Sequence, residues 1–170
     1  MSATKQILSF ILHDEHFGLA ISHIQEVLEY RRVTAVPRTP QFLIGVTNLR
    51  GQVVPVVDLR ALFGLTQNPL TINSCIIIVD ITIGDDQVAV GLLADRVCEV
   101  IEIDVACLNQ PPRLGNQINT DYIEAIARHE DDFIILLDLA RVFSGDEISS
   151  VTQAMELMGV DMDESSEVSS

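Results

Sequence analysis

A chain of 170 residues with 25 Asp and Glu against 10 Lys and Arg carries a formal charge of −15. That balance speaks against nucleic acid as a partner, because phosphate binding needs clustered cations to displace counterions. The longest apolar runs, such as residues 75–79 and 133–137, fall far short of the ~20 residues needed to cross a bilayer. Residues 1–5 lead into an alternating segment without the apolar centre and cleavage site of a signal peptide, so a cytosolic location is expected. Cys75, Cys98 and Cys107 are odd in number and lack a CxxC spacing, which predicts neither a disulfide framework nor a zinc site but buried free thiols.

Along the chain, residues 7–12 alternate imperfectly, His13, Asp14, Glu15 and His16 supply a polar turn, and residues 17–21 return. This predicts a hairpin. Ser22 and Gln25 have the spacing of a capping box, which predicts a short helix next. A second hairpin turns at Leu49, Arg50 and Gly51, and residues 53–57 then run nearly all apolar, as a strand covered on both faces should. Pro55 interrupts that run; having no N–H for a ladder, it predicts an edge or a bulge at that point. Asp58 closes the strand where an N-cap is wanted, ahead of a short helix through Phe63.

The same series then recurs. Residues 75–83 and 88–93 form a hairpin about Gly84, Asp85 and Asp86, Asp95 is placed to cap a short helix, a turn falls at Glu130, Asp131 and Asp132, and Asp138 follows the apolar strand 133–137. At fixed offset, residues 42–63 align without gaps to 122–143, with Asp58 on Asp138 and Phe63 on Phe143, and residues 17–29 match 90–102, with Glu26 and Val27 on Glu99 and Val100. The matches keep their order and include turn and cap residues, which marks a duplicated unit. Each half is expected to be an all-β unit of about five strands, able to curl into a small barrel filled by its own side chains. The expected divisions are a first subdomain at about 17–73 with terminal elements added and a second at about 74–145. Ile148, Val151, Met155 and Met158 are spaced as the packing stripe of a C-terminal helix over 146–159. Residues 160–170 are acidic and bury too little apolar area to be ordered.

Two similar halves, each with an Asp after an apolar strand, invite comparison with an aspartic protease dyad. Such a dyad needs both carboxylates on tight turns where they share a proton, whereas Asp58 and Asp138 here begin helices. His13 and His16 lack the helical two-histidine geometry of a zinc site, so a solvated turn is expected and no metal. No GxGxxG follows a strand, and neither GxxxxGK nor GxSxG occurs. A catalytic serine or cysteine would need a histidine placed by the fold, which sequence alone neither shows nor excludes; the remaining inference is a binding protein, with no catalytic residue or cofactor assigned.

The segment from Phe42 to Arg60, FLIGVTNLRGQVVPVVDLR, resembles the signature of CheW-family domains. The likeness extends upstream through Phe17, Gly18 and residues 24–27, and downstream through residues 91–95 and 133–139, covering residues 5–145. It implies two five-stranded SH3-like barrels about an approximate two-fold axis, and a non-catalytic adaptor. Its implied partners are the cytoplasmic tips of chemoreceptors (methyl-accepting chemotaxis proteins) and the regulatory domain of a CheA-type histidine kinase, in arrays at the inner membrane. A parallel chemosensory pathway, controlling pilus motility or second-messenger output, is the alternative. In the family a groove between the barrels receives the receptor helix, an apolar recognition mode; the matching positions are Ile24, Val27, Gly45, Val97 and Val100. Glu26 and Arg50 match an ion pair beside that groove, and Gly51 supplies the turn next to it. Kinase contact is implied for the first barrel through Val33, Val36, Val54 and Val56, although alternation does not say which of Val53, Val54, Val56 and Val57 faces out.

Overall fold

The computed structural model describes residues 3–30, 33–35, 42–63, 70–83, 86–109, 122–129 and 132–142. The expected C-terminal helix, the acidic tail and Val36 lie outside them, as do Glu130 and Asp131 of the second-half turn. The first hairpin pairs β1 (Thr4–Leu12) with β2 (Glu15–Ala20) through a turn at His13 and Asp14, both at positive φ (49° and 65°). Positive φ at both central residues matches the right-handed twist of the flanking strands. After a 3-10 turn at Ile21–His23 come β3 (Ile24–Glu29), β4 (Leu43–Leu49), β5 (Gln52–Asp58) and α1 (Leu59–Phe63). The second half runs β6 (Cys75–Ile83), β7 (Asp86–Ala94), β8 (Arg96–Asp104), a 3-10 turn at Val105–Cys107, β9 (Leu108–Asn109), β10 (Ile123–His129), β11 (Asp132–Leu137) and α2 (Leu139–Val142).

The strands form a six-stranded sheet, β8-β1-β2-β11-β10-β9, and a five-stranded sheet, β3-β6-β7-β5-β4. The duplication is therefore visible, but each half lends its leading hairpin to the other: β1 and β2 join β8 to β11, and β6 and β7 join β3 to β5. A division near residue 74 does not separate the sheets, contrary to the sequence expectation. The contacts that force this exchange are the parallel pairings of β2 with β11 and β7 with β5, since parallel neighbours need a crossover and not a tight hairpin. Each sheet curls on itself through the continuation of its edge strand. Beyond β3, Thr34 bridges Val46 of β4; beyond β8, β9 pairs with β10.

Three apolar clusters follow from that curl. Leu49, Val54, Val56, Ile76 and Ile78 fill the five-stranded barrel, and Ile7, Ile101, Ile103, Ala127, Ile134 and Leu136 fill the six-stranded one. The largest cluster lies between the barrels and draws on both sheets, with Phe10, Phe17, Leu19, Val57, Ile77, Val79 and Leu92 among its members. Pro55 behaves as its chemistry requires: it pairs with Val46 on one side, and the β7 pairing begins only at Val56, so no ladder donor is missed there. Asp58 and Asp138 are caps, accepting the N–H of Arg60 at 3.0 Å and of Ala140 at 3.1 Å.

Two expectations fail. The helices predicted after the leading hairpins are absent: Ser22 sits in a single 3-10 turn with no side-chain cap, and Gln25 already belongs to β3. Asp95 precedes β8 directly. The β-branched residues that follow, Ile24 and Val27 in one copy and Val97 and Val100 in the other, are taken up by edge-strand pairing with β6 and β1, which outweighs a local capping signal. The thiols also differ from expectation, since Cys98 and Cys107 are exposed and Cys75 is half-buried. Burial pushes the Cys75 thiol above its ordinary pKa. A colorimetric disulfide reagent added to native protein will release two equivalents rapidly, from Cys98 and Cys107, and the third at least about tenfold more slowly. Three equal rates would contradict this placement.

Candidate functional site

The edge strands β3 and β8 occupy equivalent positions in the repeat, and each carries one irregularity at the same place. In β3, Ile24 faces Val79 and Glu26 faces Ile78, leaving Gln25 as the extra residue of a bulge. In β8, Val97 faces Phe10 and Glu99 faces Ser9, leaving Cys98 as the extra residue. Side chains directly opposite across an antiparallel pair share a face, and alternate residues of one strand do too. The bulge therefore puts Ile24 and Val27, opposite Val79 and Ile77, on one face although they are three residues apart. Val97 and Val100, opposite Phe10 and Leu8, are brought together in the same way. Without the bulges each pair would split between two faces.

All four partners, Val79, Ile77, Phe10 and Leu8, belong to the cluster between the barrels. Ile24 and Val97 pack against it, whereas Val27 and Val100 remain 39% and 54% exposed. The structure thus gathers four of the positions expected to meet a receptor into two apolar pairs at matching places in the repeat, both beside the cluster between the barrels. Val27 and Val100 are two of six large apolar side chains exposed among the described residues, and they stand at matching positions on the two edge strands.

Glu26 and Arg50 meet as expected. Arg50 Nη1 and Nη2 donate to Glu26 Oε2 and Oε1 at 2.5 and 2.9 Å, a two-pronged contact suited to the planar guanidinium. The hydrogen bonds and then the charge of Glu26 raise the Arg50 pKa above its ordinary value. Arg50 and Gly51 have φ of 53° and 83°, the central pair of a tight hairpin turn. The Gly51 N–H donates to Asn48 Oδ1 at 3.1 Å. The pair joins β3 to the β4–β5 turn, although β3 and β4 end opposite edges of their sheet, so it also closes the barrel mouth. Arg50 remains mostly exposed.

Gly45 is not part of the exposed surface. It is buried, and a Cβ there would overlap the Thr34 carbonyl oxygen and lie 2.8 Å from Val33 Cγ1. Its role is to let the chain after β3 approach β4. The kinase assignment of Val54 and Val56 is corrected by burial: both are fully inaccessible and fill the barrel interior, because β5 is flanked by β4 and β7 and both its faces are covered. Val33 is partly buried against the same cluster.

A buried ion cluster went unread in the sequence. Arg60 is 3% exposed; its Nε and Nη2 donate to Asp58 Oδ1 and Oδ2 at 3.0 and 3.1 Å, and its Nη1 donates to Asp95 Oδ1 at 2.6 Å. Burial works against the Arg60 charge, but bonding and charge from Asp58 and then Asp95 outweigh it and raise the guanidinium pKa. Asp58 and Arg60 also line a shallow cavity of about 350 Å³ with Tyr30, Leu43, Ile44, Leu70 and Leu93. An i, i+2 Asp and Arg at a strand end was the available signal; the partner 35 residues on was not. No group of three or more metal-ligating side chains occurs among the described residues.

Comparison with known proteins finds relatives over most of the chain. The family model described as CheW-like domain matches residues 6–147. The chain is 30% identical over 147 residues to the chemotaxis protein CheW of Klebsiella aerogenes, covering 86% of each chain. It is 33% identical over 140 residues to the chemotaxis protein CheW of Thermotoga maritima, covering 81% of this chain and 86% of that one. The crystal structure of the scaffolding protein TtCheW from Thermoanaerobacter tengcongensis superposes with a TM-score of 0.76 at 36% identity, over 85% of this chain and 91% of that one.

Proposed function

Because the chain belongs to the CheW-like domain family, we propose that it acts in chemotaxis as a non-catalytic adaptor, coupling the cytoplasmic tips of chemoreceptors to a CheA-type histidine kinase. The observation that carries this reading is the pair of bulged edge strands. They present Ile24, Val27, Val97 and Val100 along one seam, with the Glu26 and Arg50 pair beside β3. An amphipathic receptor helix laid along that seam would bury the exposed Val27 and Val100. No helix of the described residues is long and apolar enough to cross a membrane; in this reading the protein is cytoplasmic and reaches the membrane through receptors. Kinase contact on the five-stranded barrel then involves the surface around Val33, since Val54 and Val56 are interior.

An adaptor controls a kinase by binding its active and inactive arrangements with different free energies. With receptor membranes and kinase present, autophosphorylation should rise and then fall as this protein is titrated, because excess adaptor occupies receptor and kinase separately. The protein alone should not turn over ATP. Kinase activity indifferent to the protein would remove the coupling role, and intrinsic turnover that survives repurification would remove the non-catalytic one.

Two substitutions address the surface itself. Val100→Asp places a carboxylate on an apolar face that the partner must desolvate, and should weaken receptor binding at least about tenfold with an unchanged circular dichroism spectrum. Arg50→Glu sets two carboxylates against each other at an exposed turn and should weaken receptor binding in a folded protein. Wild-type affinity in either variant would take that residue out of the site.

A further inference from the structure

We infer that Arg60 and Asp95 are positioning residues for the receptor surface: their ion pair, buried on the Arg60 side and partly so at Asp95, fixes where β8 begins, and so where Val97 and Val100 stand, without either side chain belonging to the contact. The inference rests on the proposed receptor surface. Asp95 is the corner at which the chain leaves β7 in one barrel for β8 in the other. It is held three ways: its N–H donates to the Ile11 carbonyl at 3.0 Å, its Oδ2 accepts the His13 N–H at 2.8 Å, and its Oδ1 accepts from Arg60 at 2.6 Å. Ile11 and His13 flank the end of β1, the strand against which β8 pairs. Arg60 belongs to α1, which follows β5 of the five-stranded barrel. One carboxylate thereby pins the start of β8 to both barrels, two residues before Val97.

The repeat supplies an internal comparison. The position matching Asp95 is Ser22, and the one matching Arg60 is Ala140. The corresponding corner before β3 is a 3-10 turn without a side-chain cap, and because neither Ser22 nor Ala140 carries a charge, the equivalent of the Asp95 and Arg60 pair is missing there. Burying an ion pair is a poor route to net stability, and its best-attested use is to fix register and orientation. What the cluster adds on one side only is a defined placement of β8 and its bulge.

The test uses full-length Asp95→Asn and Arg60→Lys, with Ile76→Val as a variant weakened in the barrel interior and Val100→Asp as a variant of the surface itself. Affinity for a receptor cytoplasmic-tip fragment and amide hydrogen exchange are measured for each. Asp95→Asn and Arg60→Lys should weaken receptor binding about fivefold or more, a usual size for coupling between sites. They should speed exchange in β8 more than in β3. Ile76→Val, brought to comparable thermal stability by choice of temperature, should stay within about twofold of wild type in affinity. Equal loss in Ile76→Val, wild-type affinity in both network variants, or equal acceleration in β3 and β8 would overturn the proposal, as would failure of both variants to fold. If Val100→Asp binds as wild type, the receptor surface itself is wrong, and a selective loss of protection in β8 would still establish the positioning.

Discussion

Arg60→Ala will destabilise the protein by about 3–5 kcal/mol, the usual cost of removing one partner from a buried charge pair. The substitution deletes a side chain that is 3% exposed and bonded to two carboxylates. Asp58 is itself 3% exposed, so its charge loses its main compensation in a place water reaches poorly. Its cap to the Arg60 N–H survives, because that bond is to backbone. For a chain of this size each kcal/mol moves the melting temperature by about 2–4 °C, so a fall of roughly 10 °C is expected in a thermal melt, with a matching fall in the urea midpoint. A loss below about 1 kcal/mol would mean that both carboxylates find water on losing the guanidinium, as at a surface pair.

Gly45→Ala will cost about 2–4 kcal/mol through backbone crowding and lost hydrogen bonds, and will weaken receptor binding only in proportion to the unfolded fraction. The added methyl would overlap the Thr34 carbonyl oxygen, a backbone atom that no rotamer change can move aside. Thr34 and Val46 exchange two hydrogen bonds of 2.8 Å there, and these close the five-stranded sheet. Relief of the overlap must lengthen both. Measured by denaturant unfolding, a change under about 0.5 kcal/mol would show that the segment around Thr34 adapts. A folded Gly45→Ala protein with selective loss of receptor affinity would return this residue to the contact surface.

These two positions show where a one-dimensional reading stops. The family resemblance makes Gly45 a contact, yet its role depends on a neighbour eleven residues earlier that no local pattern names. Arg60 read as an ordinary residue of a short helix, because Asp95 reaches it only once β7 and β8 are in place. Val54 and Val56 illustrate the matching ambiguity of strands: a run apolar on both faces does not declare which face is interior, and here β5 is covered on both. The capping box at Ser22 failed for the opposite reason, a local signal overridden by the pairing available to β3.

What the sequence determined by itself was carried by short range or by repetition, wherever strand pairing did not override the local signal. The hairpins, the Asp58 and Asp138 caps, the Arg50 and Gly51 turn, the edge character of Pro55 and the duplicated order of elements all follow from residues within a few positions of each other, or from self-comparison. Tertiary structure alone decided which hairpin joins which barrel, because parallel pairing of β2 with β11 and β7 with β5 is a long-range choice that local propensity leaves open. It also decided the geometry of the proposed surface. Strand alternation sends residues three apart to opposite faces, and only the bulges at Gln25 and Cys98, set by pairing against β6 and β1, turn Ile24 with Val27 and Val97 with Val100 toward one seam.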